Sequence, residues 1–186
     1  MSRLTIYPDQ EPENILVDTR DGDVIAKEMD AIGVRFERWK TQSPLPAGAN
    51  DDDVIKAYKN DIDRLKSENG YQSVDVIRLD ASHPQKSELR QKFLSEHTHS
   101  EDEVRFFVEG SGVFYLRVED KVYMTLCERG DLISVPEGTK HWFDMSENPS
   151  LTCIRLFTSK EGWVADYTGD DIADKFPKYE TSEKAA

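Results

Sequence analysis

Three of the four histidines in this chain fall in one constellation: His97, His99 and, well downstream, His141, with Glu103 between them. Neutral imidazoles and a carboxylate are the usual ligands of a divalent transition metal near neutral pH. The His97-Thr98-His99 step carries geometry as well as chemistry. Side chains alternate along an extended segment, so both imidazoles project to one side and can reach a single ion. The rest of the chain must then bring Glu103 and His141 to that point. His83, beside Pro84 in a polar turn, reads as an exposed loop histidine.

The elements that do this positioning divide the chain in two. Before residue 91 the sequence mixes strands and helices. Leu4–Tyr7 is a strand candidate closed by Pro8, Val24–Met29 a short helix ended near Gly33, and Val34–Trp39 a half-buried strand. Residues 42 to 52 read as a connecting loop, and Asp53 as the cap of the clearest helix. In that helix Val54, Ile55, Tyr58, Ile62 and Leu65 recur at spacings of three and four, up to Gly70. Ser73–Leu79 returns to strand alternation, and Ser87–Phe93 is a short helix leading into the histidines. From Val104 onward the texture changes. Residues 104–108, 112–118, 121–127, 131–135, 141–144 and 151–157 are short strand candidates separated by glycine-rich turns, the pattern of a β-sandwich or barrel. The stretch after Gly162 is polar, with a frayed end over 181–186.

Composition bounds the function. Acidic residues outnumber basic ones by 37 to 24, a formal charge of -13, which argues against a nucleic-acid surface or an anionic membrane as partner. No apolar run approaches the roughly 20 residues of a membrane span and no signal-peptide core opens the chain, so a cytoplasmic protein is the default expectation. Cys127 and Cys153 lie in apolar runs without a CxxC partner and read as buried free thiols.

The spacings then become specific. His97-x-His99, three residues, Glu103, six residues and Gly110 match the first motif of the cupin β-barrels. Gly130, five residues, Pro136-Glu137-Gly138, two residues and His141 match the second. Gln91 stands where a glycine is expected and Met145 where an asparagine is frequent, but neither is a ligand position. The resemblance implies a mainly β fold with some α: a cupin double-stranded β-helix, or jelly-roll, with flanking N-terminal helices. It divides a single cupin domain over 1–186 into covering strands and helices (1–90), a metal-binding barrel core (91–160) and a C-terminal extension (161–186). Pro136 and Gly138 are expected to aim His141 inward, and Gly110 and Gly112 to permit a turn between strands.

Within the cupins, residues 93–107, 110–117 and 135–143 resemble the acireductone dioxygenase family, and the N-terminal elements extend the likeness to about residue 175. That resemblance implies a methionine-salvage enzyme that cleaves 1,2-dihydroxy-5-(methylthio)pent-1-en-3-one with O2. The products would be formate and a keto acid with Fe2+, or formate, carbon monoxide and methylthiopropionate with Ni2+. The ligands would be His97, His99, Glu103 and His141, and four donors leave two positions of an octahedral ion for a bidentate ene-diolate. Arg105, two residues beyond Glu103 on a strand, shares its face. The resemblance makes it the residue that generates the substrate dianion. Phe93, Phe107 and Phe143 are candidates for an apolar substrate wall. Glu96 and Asp102 read on composition alone as solvated carboxylates; the resemblance gives them accessory roles in metal incorporation and in transmitting conformational change. The expected partners are a small-molecule substrate and O2, with no nucleic acid and no membrane, on a monomer. Another cupin dioxygenase of a small enolic substrate, or a non-catalytic ligand-binding cupin, stays open on the residues themselves.

Overall fold

One long strand, β6 (Glu103–Val118), organises the molecule because it belongs to two sheets at once. The computed structural model describes residues 1–40, 45, 48–159 and 163–180, so part of the expected loop over 42–52 and the expected frayed end over 181–186 lie outside the described residues. The remaining strands are β1 (Arg3–Pro8), β2 (Val17–Thr19), β3 (Arg35–Arg38), β4 (Ser73–Asp80), β5 (His97–Thr98), β7 (Lys121–Glu128), β8 (Asp131–Val135), β9 (Lys140–Asp144), β10 (Ser150–Phe157) and β11 (Asp166–Tyr167). The first half of β6 pairs with β8 and β10, which carry β3 and β4 outward; its second half pairs with β7 and β9, which lead to β1–β2 and β5–β11. This is the jelly-roll of a cupin, in which two faces wrap one interior.

The sequence suggested two strands with a turn around Gly110–Gly112; the structure has one strand bent at Gly110. Gly110 sits at φ +73°, and a Cβ there would overlap the Ser150 carbonyl of β10. The bend therefore passes against neighbouring backbone, which only glycine permits. Gly112 has no positive φ, so it serves no turn. Its missing Cβ instead makes room for the Phe143 ring, whose Cζ a Cβ would overlap.

Both faces of the first half of β6 are buried, which explains its nearly unbroken apolar run. Val104, Phe106 and Val108 face outward and are covered by Tyr58, Ile62 and Leu65. The helix expected from Asp53 is in fact two, α2 (Asp51–Ala57) and α3 (Lys59–Asn69), broken at Tyr58. Asn50, not Asp53, is the N-cap; Asp53 completes a capping box with it. On the other face Phe107, Ile133 and Cys153 join the barrel core with α1 (Gly22–Asp30), whose Ile25 and Met29 are fully buried. Helix α4 (Lys86–Leu94) lays Leu89 and Phe93 against that core.

The C-terminal extension is less polar in effect than its composition suggests. Ile172, Phe176 and Tyr179 are buried against Tyr7, Tyr115 and Trp142 on the outside of the second sheet. Tyr115 donates to the Pro177 carbonyl at 2.6 Å, and Arg117 pairs with Asp170 at 2.9 Å. Residues 163–167 reach the barrel end that holds β5 and the start of β6, where β11 pairs with β5 and Trp163 Nε1 donates to the Asp102 carbonyl. Among the described residues no helix is long and apolar enough to cross a membrane.

Candidate metal centre

His97 and His141 are directly opposed where β5 pairs with β9, and so project from the same face. Glu103 opens β6 beside them. The turn before β9 is fixed by two bonds: the Gly138 amide donates to the His99 carbonyl at 2.9 Å, and the Glu137 amide to Asp102 Oδ1 at 3.1 Å. One donor atom from each of His97, His99, Glu103 and His141 lies within 4.8 Å of the others, and all four residues are buried.

The hydrogen bonds fix the chemistry of these donors. His97 Nδ1 meets the Ser95 carbonyl at 2.7 Å, His141 Nδ1 the Thr139 carbonyl at 2.8 Å and His99 Nδ1 the Val164 carbonyl at 2.8 Å. A carbonyl only accepts, so each Nδ1 carries a proton and a neutral ring keeps its lone pair on Nε2. Nε2 of His99 and Nε2 of His141 each lie 2.9 Å from the same oxygen, Glu103 Oε2. Since each Nδ1 proton is spent on a carbonyl, either a proton on Nε2 or a metal cation must lie between these imidazoles and the carboxylate. A divalent metal fits this donor set.

The local titrations follow from burial and neighbours. Burial and the nearby His141 push His97 down to about 4, which keeps it neutral. Burial also works to lower His99, but the hydrogen bond and charge of Glu103 outweigh it and the value is raised. Burial would raise Glu103, yet Arg105 and the two histidines hold it well below the usual carboxylate range.

A cavity of about 530 Å3 opens onto His97, His99, Glu103 and Arg105. Arg105 is 4 % exposed, and burying an isolated charge costs several kcal/mol. Two features offset this. Its Nε lies 2.8 Å from Glu103 Oε1, and its Cζ lies 4.6 Å from the Phe143 ring centre, 5.5 Å from Phe114 and 5.8 Å from Phe93. The N–H does not aim at the carboxylate, however. The contact is coulombic, and Nε and Nη1 of Arg105 have no hydrogen-bond partner. A buried guanidinium with idle donors, beside a metal-binding cluster, is built to receive an anion.

Residues 3–165 match the model of the ARD/ARD' family. The chain belongs to that family. It is 59 % identical over 180 residues to the acireductone dioxygenase of Aquifex aeolicus, covering 97 % of each chain, and 56 % identical to that of Hahella chejuensis at the same coverage. Among solved structures it is similar to acireductone dioxygenase from Bacillus anthracis with a cadmium ion in the active centre. There the TM-score is 0.77 at 30 % identity, over 90 % of this chain and 98 % of that one. The chain thus combines the family's fold with a metal-binding cluster and a cavity that holds a buried guanidinium.

The other expected residues are distributed as follows. Phe93 and Phe143 line the cavity, ring centres 6.2 Å apart. Phe107 does not: it is fully buried in the barrel core and is not among the described lining residues, which corrects the expected wall. The further aromatic lining comes from Phe157, Trp163 and Tyr167. Glu96 is buried rather than solvated; Thr168 donates to its Oε1 at 2.7 Å and Arg117 approaches at 3.5 Å. Asp102 ties three elements together. It accepts from the Tyr71 hydroxyl at 3.2 Å and from the Glu137 amide, while its carbonyl accepts from Trp163 Nε1 at 3.0 Å. Arg155, Asp75, Lys92, Trp163 and Tyr167 also line the cavity and were missed from sequence. Arg155 left a signal, a lone charge inside the apolar run Leu151–Phe157. Trp163 and Tyr167 left none, because only the course of the C-terminal strap brings them here.

Proposed function

We propose that this chain is an acireductone dioxygenase of methionine salvage, cleaving 1,2-dihydroxy-5-(methylthio)pent-1-en-3-one with O2. With iron the products are formate and 4-methylthio-2-oxobutanoate; with nickel they are formate, carbon monoxide and 3-methylthiopropanoate. The observation that carries the reading is the pairing of a four-donor cluster with a buried, donor-rich Arg105 in one cavity. His97, His99, Glu103 and His141 would hold the ion. Bound there, Fe2+ or Ni2+ supplies a Lewis acid and a template for a chelating ene-diolate.

The chain's own groups do the rest. Arg105 stabilises the second negative charge of the ene-diol through its idle N–H donors, so the substrate reacts as a dianion. Phe93 and Phe143 flank that charge and give the methylthio tail an apolar surface. The carbonyls of Ser95, Thr139 and Val164 keep the three imidazoles in one tautomer and orientation, and Glu96 and Asp102 secure the segments that carry them. Within this reading residues 1–186 act as one cupin domain, a cytoplasmic monomer that meets a small molecule and O2. The free, buried Cys127 and Cys153 accord with a reducing compartment.

The test is metal analysis of the purified protein and reconstitution with iron or nickel. The absorbance of acireductone is then followed with and without oxygen. Oxygen-dependent decay with product sets that differ between metals is expected. Absence of such decay with both metals overturns the proposal in favour of another enolic substrate or a non-catalytic cupin.

A further inference from the structure

The cavity holds a second guanidinium, and its placement is ordered. On β10 Arg155 is directly opposed to Arg105 of β6 on one side and to Asp75 of β4 on the other. Residues directly opposed across antiparallel strands share a face, and neighbouring strands lie about 4.8 Å apart. Arg105, Arg155 and Asp75 therefore form one row across three strands. Side-chain exposure rises along it from 5 % to 25 % to 45 %, so the row runs from the cavity floor to its mouth. Trp163 spans the two arginines, its ring centre 5.4 Å from each Cζ.

Arg155 is partly engaged. Its Nε donates to Asp75 Oδ1 at 2.8 Å and its Nη2 to Asp75 Oδ2 at 2.6 Å, a two-pronged pair that uses one edge of the guanidinium. Among the described residues no acceptor meets its Nη1. Among the described residues, Lys92, Arg105 and Arg155 line the cavity with Asp75 and Glu103, in a chain whose formal charge is -13. A local cationic mouth on an acidic protein concentrates anions from solution.

We propose that Arg155 is the outer anion-recognition residue of this site and that Asp75 is its built-in competitor. This rests on the functional reading above, in which the substrate is an enolate and every turnover releases a carboxylate. An incoming anion meets the free edge of Arg155 at the mouth and moves one strand inward to the idle donors of Arg105. Formate or a larger carboxylate product leaves by the same row. Asp75 holds the other edge of Arg155 and keeps this outer site weak, so that a carboxylate product does not linger there.

The experiment compares metal-loaded wild type, Arg155→Gln, Arg155→Lys and Asp75→Asn. It measures KM and kcat over a sodium chloride series and inhibition by added formate. For Arg155→Gln the effect is expected on KM rather than kcat: a rise of about tenfold or more, a flatter salt dependence and weaker inhibition by formate. Arg155→Lys regains the salt dependence but only part of the affinity, since a lysine lacks the planar fork. Asp75→Asn binds formate several-fold more tightly. Metal content and a melting curve on each variant separate a folding defect from a binding one. Should Arg155→Gln fail to fold, unchanged formate inhibition in Asp75→Asn decides against the proposal. So does a KM for Arg155→Gln within about twofold of wild type, or a loss confined to kcat. If wild type itself does not turn over acireductone, the functional reading falls. Calorimetric titration of formate into the same variants still tests Arg155.

Discussion

Glu103 presents its two carboxylate oxygens to two different partners: Oε2 lies 2.9 Å from the His99 and His141 imidazoles, and Oε1 lies 2.8 Å from Nε of Arg105. One buried carboxylate thus links the metal-binding cluster to the buried Arg105 guanidinium. Removing the guanidinium leaves the four donors in place but takes away the group proposed to stabilise a dianion. Arg105→Met is expected to keep its metal and to lose on the order of 100-fold or more in kcat/KM. Steady-state rates alongside metal content per chain check this. Loss of metal together with activity would instead make Arg105 a support for the cluster.

The converging lone pairs at the cluster also predict that metal stabilises the fold. A ligand held at 100 times its Kd adds about 2.7 kcal/mol, and each kcal/mol shifts the melting temperature of a chain this size by about 2–4 °C. Treatment with a chelator should therefore lower the melting temperature by roughly 5–10 °C. Glu103→Gln and His141→Ala should bind little metal and show no response to the chelator. A chelator response that survives in both variants counts against this donor set.

Gly112 tests whether the aromatic side of the cavity is fixed by packing. A Cβ there would overlap Phe143 Cζ, and Phe143 is 2 % exposed between Phe93, Phe114 and Arg105. Its open direction is the cavity. Gly112→Ala is expected to cost about 1–3 kcal/mol by overpacking and to raise KM as the ring is displaced. Denaturant melts and steady-state kinetics measure the two effects. The same change at Gly110, with its positive φ and the Ser150 carbonyl in the way, should impair folding outright.

Glu37 gives the stability of the outer layer a predictable pH dependence. Its carboxylate accepts from Trp39 Nε1 and Arg64 Nη2, each at 2.9 Å, and from Arg35 Nε at 2.5 Å, joining β3 to α3. Burial works to raise its pKa, but these donors outweigh burial and hold it below its ordinary value of 4.5. A depressed folded value means the stabilisation is complete above the unfolded value and is lost as pH falls through the folded one. Melting temperature should be flat from neutral pH down to about pH 5 as far as Glu37 contributes, then fall. Glu37→Gln should cost about 1 kcal/mol at pH 7 and shrink that acid-side drop.

Residue types and spacing determined more of this protein than is usual, because a metal site constrains both. The His97-x-His99 step, Glu103, and the Pro136–His141 turn named the donors and the barrel, since ligands that must meet at a point allow few spacings. Alternation placed Arg105 beside Glu103 for the same local reason. Periodicity also marked the helix over Val54–Leu65, though not its break at Tyr58, whose backbone leaves the helical region while its ring stays buried against Phe106. Tertiary structure decided what depends on neighbours distant in sequence. Phe107 is core because Ile133, Cys153 and their neighbours from other strands pack around it. Gly112 is needed for a ring on another strand. The extension after residue 162 is a strap, because Ile172, Phe176 and Tyr179 find an apolar face that no local pattern announces. The row Arg105–Arg155–Asp75 exists only through the register of three strands, and register is set by the whole sheet.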